Sequence, residues 1–141
     1  MSVLGAAKEV GRSAFLINSN HTSILMDYGV LLKREPIFPM HVKPKDIDAA
    51  VITHAHLDHS GFVPSLFLSE SAGIQVCGTL PTFELSQLLI EDMIKISGFY
   101  LPFEYIDLVT MMKHSKNLQY REPYMINDVK LTLHESGNIV G

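Results

Sequence analysis

Eight consecutive residues, Thr53-His54-Ala55-His56-Leu57-Asp58-His59-Ser60, constrain what this chain folds into more than any other stretch. Three histidines and a carboxylate follow directly on the apolar run Ala49-Ala50-Val51-Ile52. That run is short, ends in β-branched residues and is preceded by the polar Lys45-Asp46-Ile47-Asp48, the pattern of a buried strand. Gly61 to Leu68 then reads as the start of a helix that runs from about Phe62 to Glu70, with Ser71-Ala72-Gly73 as its stop. The polar cluster therefore occupies a loop between a strand ending near Thr53 and a helix beginning near Gly61. In such a loop side chains converge instead of alternating between two faces. Neutral imidazoles and an ionised carboxylate are the donors that zinc and related divalent metals prefer. His54 and His56, two positions apart, are matched to one metal, and Asp58 and His59 to its neighbour.

The rest of the chain is that of a globular protein. Of its 141 residues 47% are hydrophobic and 18% charged, enough for one compact domain with a sizeable core. No apolar run approaches the roughly 20 residues that span a bilayer, so no membrane association is expected. The start of the chain lacks a basic segment followed by an apolar one. The single cysteine, Cys77, lies in the strand-like Ile74-Gln75-Val76-Cys77 and reads as a buried free thiol in a reducing, cytoplasmic setting. A net charge of -4 argues mildly against nucleic-acid binding, but divalent metals reverse the local field at any site that holds them.

Taken in order, Ser2-Val3-Leu4 is a short strand leading into the loop Gly5 to Ser13. Ala14 to Ile17 and Ser23 to Met26 form a hairpin closed by Asn18-Ser19-Asn20-His21 and ending at Asp27-Tyr28-Gly29. Asp27 is a carboxylate at the end of an apolar strand, either a turn residue ahead of Gly29 or an acid that orients a histidine. Residues 30–48 are irregular, with Pro36, Pro39 and Pro44, and with Lys33, Arg34, Lys43 and Lys45 as either a basic rim or, more commonly, solvated surface charges. A long helix opens at Thr79 with Pro81 in its first turn and ends at Gly98. Its stripe of Leu85, Leu88, Leu89, Met93 and Ile96 has the spacing of a core face. Tyr105 to His114 is a second helix in which Met111 and Met112 pack. Asn117 to Arg121 and Val129 to His134 are strands, and His41 and His114 are surface residues.

His-Ala-His-Leu-Asp-His resembles the signature of the metallo-β-lactamase superfamily, whose members are αββα metallohydrolases. Gly-Ala-Ala-Lys-Glu-Val-Gly-Arg-Ser at 5–13, and Glu9 to Ser13 above all, resembles the first loop of β-CASP nucleases. The likeness is in particular to archaeal proteins similar to the cleavage and polyadenylation specificity factor. It implies an α+β fold covering residues 1–141 as the first half of a metallo-β-lactamase domain, one mixed sheet with helices on one face. The second half and the β-CASP domain belong to later sequence. It further implies two zinc ions held by His54, His56, Asp58 and His59, with Asp27 orienting them and Asp58 and Asp27 serving the hydrolysis of RNA phosphodiester bonds in mRNA 3′-end processing or decay.

Leu133 to Gly141 resembles the family's third metal motif, where a histidine precedes an apolar pair and a glycine. Asn138 stands at that position, and an amide oxygen is a poor zinc ligand. His134 is a strand residue that offers a substitute imidazole. With the later ligands absent, this chain is expected to hold no metal or one weakly bound ion and to be inactive. Two rival readings follow: a non-catalytic pseudo-nuclease subunit that binds RNA or a partner, favoured by Asn138, and a small-molecule metallo-hydrolase, disfavoured by Glu9 to Ser13. A half-domain also leaves one apolar sheet face without cover, and self-association through it is expected.

Overall fold

The computed structural model describes residues 1–68 and 73–141. Strands β1 (Ser2–Gly5), β2 (Ala14–Asn18), β3 (Ser23–Tyr28) and β4 (Ala49–Val51) precede a single helical turn, α1 (Leu57–Ser60). Then come β5 (Gln75–Gly78), the long helix α2 (Leu80–Ser97), α3 (Tyr105–Lys113), β6 (Ser115–Asn117), β7 (Pro123–Ile126) and β8 (Val129–Thr132). The first six strands make one mixed sheet in sequence order, antiparallel from β1 to β3 and parallel from β3 to β6. The α+β class and the mixed sheet agree with the sequence reading. No helix among the described residues is long and apolar enough to cross a membrane.

One face of the sheet carries the helices. Leu25, Ala50 and Val76 pack there against Phe62, Phe83, Ile90, Leu108 and Met111. Helix α2 starts where Thr79 accepts a bond from the Thr82 N–H, and α3 starts in a capping box between Glu104 and Asp107.

The opposite face is partly covered, contrary to expectation. The antiparallel pair β7–β8 folds back so that Ile126, Leu131 and Leu133 meet Ile24, Ala49, Val51 and Cys77. This accounts for the unbroken apolarity of Ala49-Ala50-Val51, since a strand covered on both sides has no solvent-facing position to fill with polar residues. The β1–β2 end of this face is open: Val3 is 46% exposed and Phe15 and Ile17 are half-buried, as is Met26 of β3. Cys77 is fully buried, and burial pushes its thiol up to about 11. It is therefore expected to resist thiol reagents at neutral pH until the chain is unfolded, which a disulfide-exchange assay with and without denaturant measures.

Four sequence expectations need correction. The helix placed from about Phe62 to Glu70 is instead α1 followed by a 3₁₀ segment, Val63–Phe67. Pro64 has no N–H to continue an α-helical ladder, so the helical turn moves upstream into the histidine cluster. The expected stop at Ser71 and Ala72 lies outside the described residues. The inward stripe of α2 is Thr82, Phe83, Ser86, Ile90 and Met93, while Leu88 and Ile96 are exposed. Thr82 and Ser86 are fully buried on this face, and a count of apolar residues passes over them. Asn117 to Arg121 is not one strand, since β6 ends at Asn117. His114 is half-buried, bonded through Nδ1 to the Thr110 carbonyl and packed 5.3 Å from the Phe67 ring.

Candidate metal centre

The site is assembled around a distortion in β3. Ala14 pairs with Tyr28 and Phe15 with Met26, leaving Asp27 as an extra residue with a left-handed φ of 58°. Such a bulge re-aims one side chain, and aspartate is among the few non-glycine residues that tolerate this conformation. The re-aimed carboxylate is 4% exposed and faces the loop after β4. There Asp27 Oδ1 accepts from the Thr53 N–H at 2.8 Å, and Oδ2 lies 2.9 Å from Thr53 Oγ1 and 2.7 Å from His59 Nδ1. A second contact, 3.0 Å, joins Thr53 Oγ1 to His54 Nδ1.

Counting protons assigns the tautomers. An ionised carboxylate only accepts, so neutral His59 must carry its proton on Nδ1 and keep the Nε2 lone pair free. Thr53 has one hydroxyl proton and gives it to Asp27, so it accepts from His54 Nδ1–H, which leaves His54 Nε2 free as well. One buried acid thus holds two imidazoles in the form that binds metal.

The rings gather closely. His54 lies 4.0 Å from His59 and 4.9 Å from His56 between ring centroids, and His59 Nε2 is 3.6 Å from Asp58 Oδ2. Burial and the neighbouring His59 hold the His54 imidazole below its ordinary value against the pull of Asp27. For His59 burial works the same way, but the bond to Asp27 and the charges of Asp27 and Asp58 outweigh it and raise the group. Among the described residues, no three His, Cys, Asp or Glu side chains form a closed metal-holding group. The donors are nonetheless those that zinc takes, free imidazole Nε2 atoms and an adjacent carboxylate, so the set fits a divalent metal chemically.

Backbone contacts lock this arrangement in place. The Ser13 N–H donates to the Asp58 carbonyl at 2.7 Å, and the Ser13 carbonyl accepts from the Gly29 N–H at 2.9 Å. Val30 N–H reaches the Leu57 carbonyl, Phe62 N–H reaches the Tyr28 carbonyl, and buried Ser60 donates to the Ala55 carbonyl. A Cβ on Gly29 would sit 1.8 Å from the Asp58 carbonyl oxygen, so only glycine permits this approach. Sequence reasoning assigned no role to Thr53, Ser13 or Ser60. The signal for Ser13 was its place in the Glu9–Ser13 stretch, whereas Ser60 offered none.

The structure brings together Asp27, His54, His56, Asp58 and His59. It does not join Asn138 to them: its backbone N–H donates to Ser136 Oγ, its side chain is exposed, and among the described residues it bonds none of the five. Gly141, at φ 101°, lies against Thr82 and Thr79 at the start of α2. His134 borders a cavity of about 240 Å³ shared with Thr53, Thr79 and Tyr120.

This sheet, bulge and histidine loop are those of a metallo-beta-lactamase-like α+β fold, and the chain belongs to the metallo-beta-lactamase superfamily, whose family model matches residues 7–80. The whole chain is 34% identical to the protein named RNase aCSPSF2 of Saccharolobus solfataricus and 38% identical to transcription termination factor FttA of Methanocaldococcus jannaschii. It covers 29% and 24% of those proteins, so it spans about a quarter of the length of such relatives. These archaeal relatives agree with the resemblance carried by residues 5–13. Among solved structures, a B3 metallo-beta-lactamase with an active-site glutamic acid matches with a TM-score of 0.52 at 18% identity, over 92% of this chain and 47% of that one. The subclass B3 enzyme MEM-A1 matches at 0.51 and 17%, over 88% and 46%. At such identities the likeness is one of fold, about half of which this chain supplies.

Proposed function

We propose that this chain is the N-terminal half of the metallo-β-lactamase domain of a zinc-dependent β-CASP ribonuclease that hydrolyses RNA phosphodiester bonds. The observation that carries the reading is the bond set of Asp27, which leaves Nε2 of His54 and His59 free beside Asp58. In this proposal His54 and His56 hold one zinc and Asp58 and His59 the other. Zinc held there supplies a Lewis acid that makes water a nucleophile at neutral pH and offsets charge on the phosphoryl oxygens. The chain's own part is to fix the tautomers through Asp27 and Thr53, to present the carboxylate of Asp58, and to hold the loop rigid through Ser13. Asp27 is a positioning residue here, and Asp58 is the acid at the reacting centre.

Asn138 favours one further reading, a pseudo-nuclease subunit that binds RNA without cleaving it. Zinc titration by calorimetry, paired with an RNA cleavage assay, tests both. The 141-residue chain is expected to bind no zinc or one ion weakly, and to leave RNA intact. Asn138→His is expected to tighten zinc binding without producing cleavage. Robust metal-dependent cleavage by the unaltered chain would overturn this count of essential parts, and no gain in affinity from Asn138→His would favour the pseudo-nuclease. The open end of the second sheet face, at Val3 and Phe15, is expected to support self-association. A clean monomer in sedimentation at micromolar concentration would contradict that.

A further inference from the structure

The loop between β1 and β2 does more than brace Asp58. Ala6, Lys8, Gly11 and Arg12 all have left-handed φ values, which hold the loop in an irregular shape. At Gly11, with φ 108°, a Cβ would stand 2.7 Å from Leu31 Cδ1, so the backbone lies flat on Leu31. Val10 is thereby turned outward and is 87% exposed, and nearby Leu32 is 48% exposed. These two residues, with Leu31, Leu57 and Leu89, line an open pocket of about 410 Å³. Among the described residues, the only polar side chains on its wall are His56 and Asp58 of the candidate metal centre. An apolar hollow sharing a wall with two residues of the candidate metal centre is placed for whatever lies next to a phosphate bound there.

We propose that this pocket receives the nucleobase of the nucleotide adjoining the phosphodiester at His56 and Asp58, clasped by the aliphatic side chains of Val10, Leu31 and Leu32. The inference rests on the ribonuclease reading above. A ribose is too polar to favour such walls, whereas every nucleobase has an apolar face. With His56 and Asp58 turned to the phosphate and metal, no other polar side chain among the described residues remains on the wall to read a base edge. The pocket therefore takes purines and pyrimidines alike, and positions the substrate without selecting its sequence.

Methyl NMR of the isotope-labelled Asn138→His chain in saturating zinc tests this with adenosine 5′-monophosphate, uridine 5′-monophosphate and ribose 5-phosphate. Both nucleotides are expected to shift the methyls of Val10, Leu31, Leu32 and Leu89, and, through the apolar area a base buries against them, to bind about tenfold more tightly than ribose 5-phosphate. All three are expected to shift the signals of His56 and His59. Val10→Ser and Leu32→Ser change exposed positions without adding charge. Each is expected to bring nucleotide affinity down towards that of ribose 5-phosphate, whose own binding stays the same. Nucleotides that bind no better than ribose 5-phosphate would overturn the pocket and leave the phosphodiester reading standing. A strong preference for one base would overturn its indifference to sequence. Failure of all three ligands to perturb His56 and His59 would overturn both readings together.

Discussion

Gly29→Ala is expected to prevent the chain from folding. The added carbon would lie 1.8 Å from the Asp58 carbonyl oxygen, 2.0 Å from its carbon and 2.5 Å from the His59 nitrogen. All three are backbone atoms, so no rotamer change relieves the clash. Relief requires β3 and α1 to move apart, yet four backbone hydrogen bonds join this region: Gly29 to Ser13, Ser13 to Asp58, Val30 to Leu57 and Phe62 to Tyr28. Each is worth about 1 kcal/mol, and overpacking a rigid contact costs about 1–3 kcal/mol more. The total is comparable with the roughly 5–15 kcal/mol that holds a domain folded. Gly73→Ala is the control, because a Cβ there meets no atom of the described residues within 4 Å. Thermal unfolding followed by circular dichroism is expected to show no cooperative transition for Gly29→Ala and an unchanged one for Gly73→Ala. A native-like melt from Gly29→Ala would refute the close approach.

Asp27→Asn is expected to leave the fold intact and reverse the protonation pattern of two histidines. Asparagine also tolerates the left-handed backbone at this position, where φ is 58°. The Thr53 N–H, 2.8 Å from Oδ1, needs an acceptor, so the amide oxygen must face it. The amide nitrogen then replaces Oδ2, beside Thr53 Oγ1 and His59 Nδ1. It donates to both, so His59 moves its proton to Nε2. Thr53, no longer donating to an acid, turns its hydroxyl proton to His54 Nδ1, and His54 changes in the same way. Neither ring then offers Nε2 to a metal. Long-range nitrogen NMR of the imidazoles reads the tautomers directly, and retention of Nδ1–H on both rings would sink the argument. In the Asn138→His background, zinc affinity is expected to fall about 10–100-fold. Asp27→Ala instead leaves the Thr53 N–H without its partner and is expected to lower stability by about 3 kcal/mol.

Residues close together in the chain were legible without a structure. The apolar strand ahead of the histidine cluster follows from local patterning, as do the β2–β3 hairpin and the start of α2 at Thr79, whereas the helical turn expected after the cluster lies inside it. The chemistry of the donor set needed only residue types, and the same is true of the suspicion attached to Asn138. Long-range contacts decided the rest. Asp27 acquires its role from a bulge set by pairing with β2, and its partners lie 26 and 32 positions away. Ser13 matters because the tertiary fold lays its N–H on the Asp58 carbonyl. The true inward face of α2, marked by Thr82 and Ser86, was settled by which side the folded chain buries. The cover over Ala49, Val51 and Cys77 came from β7 and β8, far along the chain. Local propensity determines which segments are helix, strand or metal-type loop, because it acts through neighbouring residues. Which lone pairs stay free, and which faces stay dry, depends on distant segments meeting, and only the folded chain decides that.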